Sequence, residues 1–264
     1  MPIREQNSNK GTFGKVLNFC GSKNYVGAAY LSAVSSLKVG AGYSALASTK
    51  DVIESVSKLL PEAVFLTREE GLKRLQDFSV ILIGCGLGQD NEAMRLFRKI
   101  ISKCGDVPTV IDADGLNLLS KANIKLPENS VITPHPAEAA RLLKTGTENI
   151  LKDIEGSAKE LSEKYKCVTV LKTHRTLICN KDLSIHINEH GNSALAKAGS
   201  GDVLAGIISG LLAQGMDMFN GAKLGVYLHS RAGEIASEEL TEYSVLASEI
   251  LKYIPFAIKE LLIS

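Results

Sequence analysis

Short apolar segments rich in β-branched residues alternate with longer segments of helical periodicity along most of this chain. Strands joined through helices run parallel, and a parallel sheet needs helices over both of its faces. The alternation therefore predicts an α/β fold of three layers, α/β/α, around a central and mostly parallel sheet. The predicted strands are 16–20, 43–47, 80–83, 109–111, 130–133, 167–171, 176–179 and 184–187. The predicted helices are 26–37, 91–103, 136–143, 147–165, 202–213, 219–239 and 243–262.

The segment 167–187 departs from this alternation, because three strand-like stretches follow one another with only 173–175 and 180–182 between them. Connections this short join antiparallel strands, so we expect two hairpins added to the sheet. The sequence contains no linker-like segment, no low-complexity tract and no internal repeat. We therefore expect residues 1–264 to form a single domain.

Charge and composition exclude several classes of partner. The formal net charge of +1 gives no electrostatic footprint for nucleic acid or an anionic membrane. The longest charge-free stretches, 24–37 and 203–216, have 14 residues each, fewer than the roughly 18 to 20 that span a bilayer. The N-terminus lacks the apolar segment of a signal peptide, and the five cysteines form no CxxC pair. We expect a cytoplasmic protein with buried free thiols, and neither nucleic acid nor a membrane as a partner.

A glycine-rich turn, Gly199-Ser200-Gly201, opens directly onto an apolar helix that begins near Asp202. Glycines let the backbone approach a phosphate closely, and the free N–H groups of a first helical turn favour negative charge. The spacing differs from the GxxxxGK[ST] pattern of P-loop NTPases. This turn therefore predicts an anion site of another kind.

Asp202 at that turn has two interpretations. An aspartate before a helix commonly serves as its N-cap. Alternatively, its carboxylate acts as a general base on a hydroxyl that accepts a phosphoryl group, while the N–H groups beside it stabilise the transferred group. The spacing alone is compatible with both roles.

The turn and the small-residue helix after it resemble the signature of the ribokinase-like superfamily. Earlier segments narrow the resemblance to the ADP/ATP-dependent NAD(P)H-hydrate dehydratase family, from about Gly11 to Ala236. In chain order these segments are Gly21-Ser22, Gly27-Ala28-Ala29, Gly40-Ala41-Gly42, Gly84-Cys85-Gly86-Leu87-Gly88, Ile111-Asp112-Ala113-Asp114-Gly115-Leu116-Asn117 and Ile132-Thr133-Pro134-His135-Pro136-Ala137-Glu138. The resemblance implies a ribokinase-like fold.

The resemblance also implies an activity, in which ADP or ATP drives the removal of water from the S epimer of hydrated NADH or NADPH through a phosphorylated intermediate. It implies Mg²⁺ as a cofactor, without metal ligands in the chain. The implied catalytic groups are Asp202 as the base and Gly199, Ser200 and Gly201 as the anion hole. The implied substrate-binding residues are Ala28, Gly88, His135 and Asp202. The implied nucleotide-binding residues are Lys172, Thr173, His174, Arg175, Thr176 and Gly201.

Two positions depart from the family pattern. Cys85 stands where the family usually has proline, and Lys172-Thr173 stands where it usually has Lys-Gly. The epimerase domain often fused at the N-terminus is missing from this sequence, so we expect a separate epimerase or none. The resemblance favours ADP over ATP. It also implies a homo-oligomer such as a tetramer, for which the predicted helices 219–239 and 243–262 offer apolar surface.

His135 and the pair Asp112 and Asp114 follow predicted strands, at the edge where open α/β sheets place ligands. His135 lies between two prolines, and either caps a helix or, as the resemblance favours, contacts the substrate. The two aspartates are equally consistent with organising Mg²⁺ through water and with forming a local turn.

A zinc site at His186, Glu189 and His190 is not expected. The segment reads as a strand that runs into a loop, so residues four apart share no helical face, and the HExxH order is lacking.

Two other functions remain compatible with the sequence. One is a small-molecule kinase of the same superfamily, acting on a thiazole or pyrimidine alcohol. The other is a non-catalytic nucleotide-binding protein that has kept the fold.

Overall fold

A nine-stranded sheet forms the centre of the chain in this computed structural model, which describes residues 1–263. The strands are β1 Lys15–Phe19, β2 Tyr43–Ser48, β3 Val64–Thr67, β4 Val80–Ile83, β5 Thr109–Ile111, β6 Ser130–Ile132, β7 Val168–Leu171, β8 Leu177–Cys179 and β9 Ile185–Ile187. Their order is β3-β2-β1-β4-β5-β6-β7-β8-β9. β8 pairs antiparallel with both β7 and β9, and all other neighbouring strands pair parallel. The mostly parallel sheet and both hairpins are thus confirmed.

Helices cover the sheet. They are α1 Val26–Lys38, α2 Lys50–Val56, α3 Arg68–Lys73, α4 Asn91–Lys103, α5 Asp114–Lys121, α6 Pro136–Leu143, α7 Thr147–Lys152, α8 Ile154–Tyr165, α9 Ser200–Ala213, α10 Met218–Ser244 and α11 Ala247–Ile263. Short 3₁₀ helices span Leu75–Asp77 and Ser193–Leu195.

Two apolar cores separate the layers. Alternate residues of one strand enter different cores, since Val16 belongs to the core that includes α1, α9, α10 and α11, whereas Leu17 belongs to the core that includes α4, α5, α6 and α8. This is the consequence of the two-residue period of a strand whose two faces are both covered. The predicted three-layer α/β/α architecture is confirmed.

Several predicted bounds are wrong. The single helix predicted over 147–165 is two helices, because Asp153 ends α7 and caps α8 by accepting a hydrogen bond from the Gly156 N–H at 2.8 Å. The helix predicted from 243 begins at Ala247, since α10 continues to Ser244 through a kink at Thr241. Strand β3 and helices α2, α3 and α5 were not predicted. All four are eight residues or shorter, too short for a strong periodic signal.

Helices α1 and α9 pack with their backbones in contact. A Cβ atom on Gly206 would lie 2.2 Å from the Ser32 carbonyl oxygen, and one on Gly210 would lie 2.5 Å from that of Ser36. Only glycine fits at these two positions of α9. The two helices are therefore held at a fixed separation.

Within residues 1–263, no helix combines the length and the apolar character needed to cross a bilayer.

Candidate active site

The candidate site lies at the carboxyl ends of the central strands. The chain leaves β1 toward one edge of the sheet, through β2 and β3, and leaves β4 toward the other edge. Helix α1 covers one face after β1, and α4 covers the opposite face after β4. Loops that diverge in this way leave a crevice at the topological switch point, which is where open α/β sheets bind ligands.

Helix α9 begins at this edge with an open N-terminus. Its N-cap, Gly199, is left-handed with φ 89° and offers no side-chain cap. The Ser200 N–H donates to the Lys197 carbonyl at 3.2 Å. Within residues 1–263 the N–H groups of Gly199, Gly201 and Asp202 have no protein acceptor. The Ser200 N–H is therefore already engaged, contrary to its predicted place in the anion hole, while the Asp202 N–H is free.

Asp202 is the third residue of α9 and lies two residues beyond the start of the helix. The N-cap interpretation is therefore wrong. Its carboxylate lies with the Asp112 carboxylate and the Cys85 thiol, and one ligand atom from each lies within 4.8 Å of the others. Burial, and then the charge of Asp112, raise the pKa of Asp202 to about 6. Asp202 is thus ionised at neutral pH yet more basic than an exposed carboxylate, as a general base requires.

Lys172 follows β7 and lies beside this helix start. Its Nζ lies 2.7 Å from Asp112 Oδ1 and 4.0 Å from Glu138 Oε2. A Cβ atom on Gly201 would lie 3.4 Å from the same Nζ. Burial disfavours the ammonium, but the two carboxylates outweigh it and raise the pKa of Lys172. A permanent positive charge therefore stands beside the free N–H groups of α9.

Glu138 belongs to the site, although sequence reasoning did not single it out. Its side chain is buried, and burial raises its pKa to about 7 despite the Lys172 charge. The spacing from His135 signals a helix-capping glutamate. Its contact with Lys172 joins two segments that follow different strands, so no local sequence pattern could reveal it.

His135 is the N-cap of α6. Its Nδ1 accepts from the Ala137 N–H at 3.2 Å, and Glu138 accepts from the His135 N–H at 2.9 Å. Burial, and then Lys172, lower the pKa of His135. The capping interpretation is therefore confirmed. It does not oppose substrate contact, because 47% of the side chain is exposed.

The two aspartates after β5 have different partners. Asp112 faces Lys172, whereas Asp114 accepts from the Gly88 N–H at 2.9 Å and from Gln89 Nε2 at 2.9 Å. Asp114 therefore fixes the glycine loop, and the two carboxylates have separate partners.

Ala28 and Gly88, predicted to bind substrate, belong to two segments that touch each other, the first turn of α1 and the glycine loop. A Cβ atom on Gly86 would lie 2.9 Å from the Ala28 Cβ, so the glycine loop touches the first turn of α1. Gly88 has φ 90° and open space where a side chain would project. A flat ligand group can therefore approach this backbone closely.

A cavity of about 970 Å³ opens from Gly201 and Lys172 toward α10. Its lining includes the predicted nucleotide-binding residues Lys172, Thr173, His174, Thr176 and Gly201. Leu195, Leu204 and Val226 make part of the wall apolar. Arg175 is not part of the lining, because its side chain pairs with Glu189 at 3.4 Å on the surface.

His229 of α10 contacts the glycine turn and lines the same cavity, and sequence reasoning missed it. Its Nε2 lies 3.0 Å from Ser200 Oγ, and both side chains are buried. Burial lowers the pKa of His229 to about 4, so the imidazole is neutral and can share one hydrogen bond with the hydroxyl. No motif surrounds His229, and only the packing of α10 on α9 reveals the contact.

His186, Glu189 and His190 have different surroundings. His186 lies in β9, Glu189 pairs with Arg175, and His190 Nδ1 lies 3.3 Å from Glu234.

The fold and the site together define the class. A solved structure of a ribokinase-like superfamily protein from Enterococcus faecalis V583 superposes with a TM-score of 0.90 at 31% identity, covering 98% of this chain and 92% of that one. The structure of an ADP/ATP-dependent NAD(P)H-hydrate dehydratase from Bacillus subtilis, co-crystallised with ATP/Mg²⁺, gives a TM-score of 0.89 at 30% identity, covering 98% and 94%. The predicted ribokinase-like fold is confirmed.

The chain belongs to the NAD(P)H-hydrate dehydratase family, whose profile matches residues 16–256. A curated relative, the ADP-dependent (S)-NAD(P)H-hydrate dehydratase of Neisseria meningitidis serogroup B, is 37% identical over 94% of this chain and 86% of its own length. Other relatives are named bifunctional NAD(P)H-hydrate repair enzymes, and the chain spans about half of their length.

Proposed function

We propose that this protein removes water from the S epimer of hydrated NADH or NADPH, with ADP or ATP as the phosphoryl donor. The observation that carries the proposal is the position of Asp202, a carboxylate in the first turn of an uncapped helix, beside free N–H groups and the Lys172 ammonium. Phosphoryl transfer to a hydroxyl needs a base, an anion hole and a cation, and all three lie at the first turn of α9 or beside it.

The chemistry explains why a dehydratase would use a kinase-like site. Hydroxide is a poor leaving group, so the hydroxyl is first phosphorylated. Asp202 takes the hydroxyl proton as the oxygen attacks the terminal phosphoryl group, and AMP or ADP leaves. The lone pair of the ring nitrogen then expels phosphate and leaves an iminium. Loss of a proton from the neighbouring ring carbon to water restores the double bond of the reduced nicotinamide and returns the lone pair to nitrogen.

The nucleotide is assigned to the cavity beside Gly201. Lys172, with Gly199, Gly201 and Asp202 N–H groups, would hold its terminal phosphates, and Thr173, His174 and Thr176 would line its path. Ser200 contributes through its hydroxyl contact with His229. Arg175 contributes only through its backbone. Its carbonyl accepts a hydrogen bond from Thr173 Oγ1 at 2.6 Å and so helps to hold the loop that lines the cavity.

The hydrate is assigned to the crevice between α1 and the glycine loop. Ala28 and Gly88 offer backbone and open space there, and His135 presents an exposed ring edge at the same end of the strands. Asp202 follows Gly201 of the nucleotide cavity and lies within 4.8 Å of Cys85 in the glycine loop, so we assign it to the point where the two substrates meet.

The residues present fit Mg²⁺. Asp112 and Glu138 are buried carboxylates on either side of Lys172, and oxygen donors of this kind suit a hard divalent cation, directly or through water. When bound with the nucleotide, Mg²⁺ would neutralise phosphate charge. Asp114 is not part of this set because it binds the glycine loop.

The decisive experiment follows the absorbance of reduced nicotinamide when purified protein, Mg²⁺ and ADP or ATP are added to hydrated NADH or NADPH. The proposal predicts recovery of that absorbance with one phosphate released per turnover. A stable phosphomonoester of an added thiazole or pyrimidine alcohol would instead indicate a kinase. Nucleotide binding without any turnover would contradict both enzymatic functions.

The proposal extends to assembly and context. Tyr243, Leu246 and Phe256 are exposed apolar residues at the end of α10, the loop after it and α11, and they support a homo-oligomer such as a tetramer. We further propose that residues 1–264 act as one domain in the cytoplasm, and that an epimerase acts on the other epimer in the same pathway. Sedimentation velocity tests the oligomeric state.

A further inference from the structure

Cys85 is a buried nucleophile beside the proposed base that the mechanism above does not use. It lies in the glycine loop after β4, and its side chain is fully buried. Its Sγ is 4.0 Å from Asp112 Oδ2, on the side of that carboxylate away from Lys172, which binds Oδ1. The thiol, Asp112 and Asp202 come from three different segments and meet at one point.

We propose that Cys85, Asp112 and Asp202 form a binding site for a thiophilic divalent cation such as Zn²⁺, which blocks the base when it is bound. The proposal rests on the proposed function only for this inhibitory consequence. Binding itself depends on the three side chains alone.

The geometry suits such a cation. The three ligand atoms lie within 4.8 Å of one another, and a tetrahedral zinc ion with ordinary bond lengths needs ligand atoms about 3.3 to 3.6 Å apart. Rotations of the aspartate side chains can close this difference. One thiolate with carboxylates favours zinc or cadmium over magnesium, which prefers oxygen ligands alone.

The electrostatics also favour a cation. Two carboxylates approach each other here, and only one of their oxygens, Asp112 Oδ1, is paired with Lys172. The Cys20 thiol and burial raise the pKa of Cys85, so the resting thiol is protonated. On binding, the S–H bond breaks, the sulfur electron pair goes to the metal and the proton leaves to solvent.

Cadmium titration of the metal-free full-length protein tests binding without reference to activity. A cadmium–thiolate bond absorbs in the ultraviolet, so the wild-type protein should develop this band with one equivalent of Cd²⁺ in excess Mg²⁺. Cys85→Ala and the near-isosteric Cys85→Ser should lose the band, whereas the matched control Cys104→Ala should keep it. Absence of the band in the wild type, or its survival in both Cys85 variants, would overturn the inference.

A second measurement uses metal affinity by calorimetry. Removing one direct ligand should weaken Zn²⁺ binding by at least tenfold, the low end of the effect of losing even an indirect metal contact, so Asp112→Asn should bind Zn²⁺ at least that much more weakly. Unchanged affinity in this variant would contradict the site. If Zn²⁺ binds as predicted but the protein has no dehydratase activity, the proposed function fails and the site stands. If the protein is active and ignores Zn²⁺ and Cd²⁺, only this inference fails.

Discussion

Helices α6 and α9 begin at the same edge of the sheet but complete their first turns differently. At α6, His135 and Glu138 form a reciprocal capping box. At α9, a left-handed glycine provides no side chain, and the N–H groups of Gly201 and Asp202 lack a protein acceptor within residues 1–263. One helix start is closed by its own side chains, and the other is left open.

The difference shows which helix start can receive an anion. The first N–H groups of a helix need acceptors, which come from side chains, water or a ligand. At α6 a buried glutamate supplies negative charge and would repel a phosphate. At α9 the Lys172 ammonium lies beside the free N–H groups and offsets the carboxylates of Asp202 and Asp112. Both starts have favourable dipoles, so the side chains decide which one binds phosphate.

The largest effect is expected from Asp202→Asn, which removes the base and keeps the open helix start. We expect kcat to fall at least ~10²-fold, with nucleotide binding retained because the N–H groups and Lys172 remain. Initial rates and calorimetry with ADP measure the two quantities. Asp51→Asn, at an exposed first-turn aspartate of α2, is the control and should change neither.

The second prediction concerns pH. A base acts only when ionised, and the pKa of Asp202 is about 6. We therefore expect kcat/KM to fall about tenfold per pH unit below that value and to be flat above it. The pH profiles of wild type and Glu138→Gln check this. If the acid limb moved or vanished in the Glu138 variant, the titrating carboxylate would belong to α6 instead.

The third prediction concerns the backbone conformation at the open start of α9. Gly199→Ala places a Cβ atom 2.6 Å from Leu31 Cδ1 in a left-handed residue, so we expect about 1–2 kcal/mol of lost stability and a several-fold lower kcat. Gly215→Ala is the matched control, because it has φ +90° and open space around its Cβ position. Urea unfolding should show a loss in both variants, whereas assays should show reduced activity only for Gly199→Ala.

The smallest effect separates the two roles of His135. His135→Ala should cost about 1 kcal/mol in unfolding free energy through the lost cap and raise the KM for the hydrate several-fold. His135→Asn, which can cap a helix, should restore the stability but not the KM. A normal KM in both variants would reduce His135 to a purely structural residue.

The sequence predicted the parts of the molecule that local patterns encode. Strands such as β4 and helices such as α4 have strong periodicity, and their bounds match the structure. The glycine turn at 199–201 could also be predicted, because glycine adopts left-handed backbone conformations that other residues avoid.

Contacts between distant segments were not readable. Glu138 near Lys172, His229 on Ser200 and Cys85 between Asp112 and Asp202 each join residues from different elements. The different orientations of Asp112 and Asp114 were equally unpredictable, because each carboxylate is held by a partner from another segment, Lys172 or Gly88.

Because α1 and α9 are in backbone contact, we expect the temperature at which activity is lost to follow the temperature at which the fold melts. Ala28 and Asp202 lie in the first turns of these two helices, and the contacts of Gly206 with Ser32 and of Gly210 with Ser36 leave no room for one helix to slide on the other. Misplacement by about 1 Å can cost two orders of magnitude in rate. On heating, activity should therefore persist until the core itself melts, and then disappear with it.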